Sequence, residues 1–239
     1  MSGLNASLGY FTAVLLLAAA VRALLKRWPR LGFAVELASS FALVACRLEV
    51  QTIIEVGEWA VGLGSDVTLT VLFGVLLAHG AICGGASGNP ALSVQRFLRR
   101  EAGALHTALS VAAQFLGAHL ALLAAAFYWS LELTEMHMLK MLMWSECSAS
   151  LAVSPLQGFI AEGCCSLGFH LALLNLQRRS ALVRVPLVAA MLTFLSHIGM
   201  VLSVLLYTGR VPKIFSRKFF QKLRGRVTKG ESGETKRKK

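Results

Sequence analysis

"GGASGNPALSVQRFLRR", residues 84–100, lies where two long apolar stretches meet and places Asn89-Pro90 at the start of a short helix. Proline suits the first position of a helix because the N–H it lacks has no intrahelical partner there, and asparagine is a favoured N-cap. "GGASG" reads as loop, while "ALSVQRFLRR" reads as helix and ends in positive charge that complements a C-terminal dipole. Residues 90–99 would cover about 15 Å at 1.5 Å per residue, half of a hydrocarbon core about 30 Å thick. The stretch therefore predicts a re-entrant segment that dips to mid-membrane and returns as a half-helix, an arrangement tolerated only where protein or water surrounds it. With its oxygen used as the cap, Asn89 would turn its amide NH2 and the positive helix end towards a lumen, holding a water oxygen and repelling cations. On spacing alone, a surface helix with an Asn-Pro start fits equally well.

The surroundings favour a membrane. The chain has 239 residues, 56% of them hydrophobic and 15% charged, and the apolar residues come in blocks of about 20 rather than on one helical face. Blocks of this length satisfy their backbone internally as helices, so the fold class is all-α integral membrane. Six spans can be drawn, roughly 4–25, 33–54, 67–83, 107–131, 156–176 and 186–207. Residues 1–26 read as a retained span, because no charge precedes Arg22 and a basic cluster follows the small residues.

Most of the net charge of +12 sits at one end: residues 210–239 hold 12 Lys or Arg against Glu231 and Glu234. A basic segment beside a span predicts contact with anionic membrane lipids. No nucleic-acid partner is expected, since the aromatics of this segment are confined to Phe215, Phe219 and Phe220 beside the membrane. The five cysteines form no CxxC pair and the histidines no ligand spacing, so no metal or cofactor is expected and the thiols are predicted to be reduced and buried. No arrangement of acid, base and nucleophile on one face points to an enzyme.

Basic and non-basic connections alternate along the chain: "KRWPR" (26–30), "RFLRR" (96–100) and "QRRSALVR" (177–184) are basic, while 55–66 lacks Lys and Arg and 132–147 has one Lys. Cytosolic and outer loops alternate in this way. The pattern then breaks, because one span of about 22 residues separates Arg184 from the basic tail. Either the tail is on the unexpected side, or the last segment does not cross, or a crossing found in related chains is missing here. Two stretches also echo one another: "VELASSFALVAC" (35–46) and "AEGCCSLGFHLAL" (161–173) each carry an early glutamate, Glu36 and Glu162. A carboxylate within a span usually has a partner or a task, although either could lie at a headgroup boundary.

The triplet Asn89-Pro90-Ala91 after a Gly- and Ser-containing loop resembles the signature box of the aquaporins, and Glu36 and Glu162 match the glutamate that each half of that family carries. "LAHG" (77–80), "MSGLN" (1–5), "CSASL" (147–151), "FHLALLNLQ" (169–177) and "LLYTGRVPKIF" (205–215) are similar to the unorthodox, intracellular branch, so the likeness runs through nearly the whole chain before the tail. The resemblance implies an aquaporin-like helical bundle over residues 1–209 with a basic, disordered tail over 210–239. It assigns Asn89, Pro90 and Ala91 to the pore and makes Glu36 and Glu162 the residues that brace re-entrant loops. It further implies passive transport of water or a small neutral solute such as glycerol, assembly as a homo-tetramer, and an intracellular membrane, the endoplasmic reticulum. His79 reads as a packing or hydrogen-bonding group.

The departure from the family is a second Asn-Pro box, which is absent. Residues 186–208 look like the front of one helix joined to the back of another, at the place where the charge alternation fails. That leaves a second expectation open: a non-conducting protein that associates with full-length aquaporins or alters their trafficking.

Overall fold

The computed structural model describes residues 3–25, 27–28, 31–56, 64–84, 88–143 and 155–207. Among the described residues are six long helices: α1 (Gly3–Leu25), α2 (Gly32–Val56), α3 (Gly64–Ile82), α5 (Ala104–Ser130), α7 (Pro155–Leu176) and α8 (Ala181–Tyr207). Two helices of nine residues lie between them, α4 (Pro90–Leu98) and α6 (Glu135–Met143). The all-α membrane class stands. The basic segment 210–239 and the connection at 57–63 lie outside the described residues.

Contacts divide the chain into two units. The first holds α1 to α6 together with the end of α7 and the start of α8. In it α2 packs against α1, α3, α5 and α6, and most extensively against α5. Large apolar side chains of α5 face outward, among them Leu105, Leu109, Phe115, Leu123 and Phe127, whereas its buried positions are Thr107, Ser110, Ala113, Gln114, Gly117, Ala121, Ala125 and Trp129. This is the pattern of a helix solvated by lipid. Acyl chains accept leucine as readily as a protein core does, so the interior is left to small residues that let backbones approach and to polar residues that bond between helices.

Gly117 marks the closest approach. A Cβ there would lie 2.4 Å from the Leu37 carbonyl oxygen and 3.1 Å from the Phe41 nitrogen, both backbone atoms of α2. Buried Ala38, Ala42, Ala45 and Cys46 continue the small surface of α2.

By length and composition, α1, α5 and residues 158–176 of α7 can cross a membrane, while α3 and the start of α8 offer shorter apolar stretches. α2, with Glu36, Arg47, Glu49 and Glu55, is the most charged of the long helices, yet it is the one that the first unit surrounds. In the second unit, Phe169 is buried and meets the ring of His170 edge-on, and His170 Nδ1 lies 2.8 Å from the Ser166 carbonyl oxygen. The expectation of buried thiols holds for Cys46 and Cys83 but not for Cys164 and Cys165, which are exposed on α7. A free thiol behaves as a small hydrophobe, so exposure on an apolar helix costs it little where the surroundings are apolar.

α8 is one continuous helix of 27 residues through the join noted in the sequence. It begins five residues before the expected start at Pro186, with Ser180 accepting the first ladder bonds from the Val183 and Arg184 amides.

Gly117→Ala is expected to lower thermal stability in detergent by about 2 kcal/mol, because the added methyl meets a backbone that cannot rotate away. Gly74→Ala, where a Cβ meets nothing within 4 Å, should leave the melting temperature equal or slightly higher through improved helix propensity.

Candidate functional site

The half-helix α4 starts at Pro90. Asn89 is its N-cap, with extended backbone (φ −138°, ψ 120°) and a side-chain oxygen that accepts from the Ala91 N–H at 2.9 Å. The Asn89 carbonyl takes the next amides, Leu92 at 3.1 Å and Ser93 at 3.3 Å. Cap, proline and carbonyl together satisfy the first turn, which is why nine residues hold as a helix with one face against α5. Asn89 itself is half-buried, and its amide nitrogen has no protein partner among the described residues. At the other end Arg96 lies in the last turn, and Arg99 and Arg100 are exposed.

The connection into α4 is held at both of its described ends. At its entry, the guanidinium of Arg22, in the last turn of α1, donates to the carbonyls of Ile82 and Gly84, satisfying the open end of α3 with a positive charge. At its exit Gly88 adopts φ +56°, a left-handed conformation that suits glycine, and a Cβ there would lie 2.9 Å from Ser39 Oγ. The Gly88 N–H donates to Glu36 Oε2 at 3.0 Å.

Glu36 is 6% exposed and sits in the second turn of α2. Besides Gly88, its Oε2 accepts from Gln114 Nε2 of α5 at 2.8 Å, and the same amide nitrogen donates to Ser93 Oγ of α4 at 2.9 Å. Arg96 stands 3.9 Å from Glu36 Oε1. One carboxylate thus ties α2 to the loop, to α4 and to α5, and α5 returns a bond through its Gln114 carbonyl, which accepts from Ser40 Oγ at 2.8 Å. His79 is buried, with Nε2 3.0 Å from the Ser39 carbonyl oxygen. Glu162, on α7 in the second unit, is exposed.

Sequence reading singled out Glu36, Asn89, Pro90 and Ala91 but not Gln114, Ser93 or Arg22. Gln114 carried a signal, as a lone amide in an otherwise apolar span.

The chain is 34% identical to mouse aquaporin-12 in an alignment of 276 residues that covers 97% of this chain and 95% of the mouse protein. It is 35% identical to human putative aquaporin-12B, with 98% and 92% covered. This chain belongs to the aquaporin family. Human aquaporin-11 is 29% identical over 81% of the chain and 70% of that protein. No family model and no solved structure matches the chain. The aquaporin is accordingly a multi-pass membrane protein of a channel family, and its Asn89-Pro90-Ala91 box stands at the head of a half-helix that shares Glu36 with the helices around it.

Glu36→Ala in this aquaporin would leave the Gly88 amide and the Gln114 side chain without their buried acceptor. We expect stability to fall by about 3 kcal/mol, and tryptic cleavage after Arg96, Arg99 and Arg100 to quicken as α4 comes loose. Gly88→Ala should give the same protease pattern. Thermal melting and timed digestion of protein in nanodiscs read both.

Proposed function

We propose that the chain is a passive channel for water or a small neutral solute such as glycerol, with Asn89, Pro90 and Ala91 as the polar point of its pore and Glu36 as the brace that fixes their height. The observation that carries this reading is the pairing of an open Asn89 amide nitrogen with an oxygen already committed to the helix cap. A committed oxygen leaves the side chain acting as a donor, and the adjacent helix end is positive. A neutral hydroxyl or water oxygen is favoured there, whereas a cation is not. Passage consists of exchanging hydrogen bonds and needs no chemistry, so no enzyme activity is assigned.

Several further assignments belong to the same reading. Glu162 is assigned, from its early place in the sequence of α7, the bracing role in the later part of the chain that Glu36 has in the earlier part. The membrane domain is residues 1–209, and the basic segment 210–239 meets anionic headgroups. The chain assembles as a homo-tetramer in an intracellular membrane, the endoplasmic reticulum, with the terminal "KRKK" as a retrieval signal if it faces the cytosol.

A second reading has its own support. The 276-residue alignment is longer than this chain, so the mouse relative has stretches opposite gaps here. The sequence has one Asn-Pro box, and α8 runs unbroken past the join. A shortened chain that does not conduct, and instead associates with full-length aquaporins or alters their trafficking, fits these facts.

Osmotic swelling of proteoliposomes separates the two. Under the channel reading, wild-type vesicles swell faster than empty ones, and Asn89→Asp, which replaces a donor with an anionic acceptor, lowers the protein-dependent rate about tenfold, the equivalent of one hydrogen bond of ~1.4 kcal/mol. Correctly folded wild-type protein that adds nothing to the rate of empty vesicles would establish the second reading.

A further inference from the structure

A second buried carboxylate, thirteen residues along α2 from Glu36, anchors an element that has no part in the site above. Glu49 is 0% exposed. Its Oε1 accepts from Ser7 Oγ of α1 at 2.6 Å and lies 2.9 Å from His137 Nε2 of α6, and its Oε2 accepts from Trp129 Nε1 of α5 at 2.8 Å. His137 is also 0% exposed, with Nδ1 3.1 Å from Thr134 Oγ1, while the Thr134 carbonyl takes the first amides of α6. A second tie runs from Lys140 to Glu55, and the Lys140 ammonium lies over the Trp129 ring, 5.5 Å from its centre. The inner side of α6 is therefore fully committed to the bundle: Met136 and His137 are buried, and the lysine is turned back along its own stem.

The outer side of α6 carries one charge, the exposed Glu135 at its first residue, and is apolar from there on. Met138, Leu139, Leu142 and Met143 fall at i, i+1, i+4 and i+5 and are 42%, 44%, 75% and 62% exposed. Their level in the membrane follows from α5, whose 27 residues extend about 40 Å against a hydrocarbon core of about 30 Å. The last turn of α5, at Trp129 and Ser130, thus emerges in the headgroup region, and α6 begins five residues later against the ends of α2 and α5. The outward apolar stripe of α5, which ends in Leu123 and Phe127, is followed by exposed Leu131 and Leu133, with exposed Glu132 between them, before this face of α6.

We propose that α6 is an interfacial helix whose Met138, Leu139, Leu142 and Met143 face lies in the headgroup–acyl boundary of the leaflet opposite the one that α4 enters. The occupant of this surface is lipid, because the face is apolar beyond Glu135, whose place at the start of the helix keeps its carboxylate at the headgroup level, it stands at the depth where a short helix embeds without crossing, and it prolongs a lipid-facing stripe. The inference rests on membership of a membrane family and is independent of whether the chain conducts.

The test places the photoreactive residue p-benzoylphenylalanine at Leu142, and separately at Met143, in the full chain reconstituted in phosphatidylcholine nanodiscs. Both are exposed positions whose replacement leaves the buried ties intact. Phe115, on the outward side of α5, is the lipid-facing reference, and Glu101, beyond the basic end of α4, the aqueous one. Mass spectrometry after irradiation should find phospholipid adducts at both α6 positions at the level of the Phe115 reference, about fivefold or more above the Glu101 reference. Adduct levels matching the Glu101 reference would overturn the proposal in favour of a water-exposed helix. Cross-links between two copies of the chain in place of lipid adducts would overturn it in favour of a protein contact.

Discussion

The geometry around the Asn-Pro box depends on the Glu36 carboxylate. A carboxylate removed from water costs free energy unless hydrogen-bond donors replace the water. Here the donors come from two elements distant in sequence, the Gly88 amide and the Gln114 side chain, and the second of these also reaches Ser93. Because both partners must converge on one oxygen, α5 is drawn against α2 at the level where α4 begins, and the loop must arrive in the left-handed conformation seen at Gly88. The small surfaces of α2 and α5, with Gly117 at their tightest point, make that convergence sterically possible. Removing water from a carboxylate thus becomes a means of fixing where α4 starts against α2 and α5.

Glu49 repeats the device about 20 Å further along α2 at 1.5 Å per residue. It gathers α1, α5 and α6 as Glu36 gathers the loop, α4 and α5. The most charged of the long helices is therefore the one that the others are built around, and its two buried carboxylates, Glu36 and Glu49, are satisfied inward while α5 presents leucine and phenylalanine outward. The arrangement is the reverse of a water-soluble core and is what lipid as a solvent favours.

Features encoded locally were legible in the sequence. Asn89 and Pro90 set the start of α4 because cap chemistry involves neighbours in sequence, and the long helices followed from apolar block length. Glu36 stood out because a carboxylate early in a span is costly. Its partners did not stand out, since nothing near Gln114 or Ser93 in the sequence says that they meet the same oxygen. Nothing near Glu49 in the sequence marks it out, since its partners lie on three other helices, and α6 lies in a connection of mixed composition whose buried histidine meets Glu49. The failure of the charge alternation near Arg184 was legible, and α8 runs through that region as a single helix.

Hydrogen–deuterium exchange of the segment around Gly88, measured on the wild-type chain and on Glu36→Gln in nanodiscs, tests the central claim most directly. The neutral amide keeps the shape of the side chain and weakens its acceptor. The account predicts a Gly88 amide protected in the wild type and exchanging at least about tenfold faster in the variant, the equivalent of ~1.4 kcal/mol lost from a charge-assisted bond. Fast exchange in the wild type, or equal exchange in the two proteins, would contradict it.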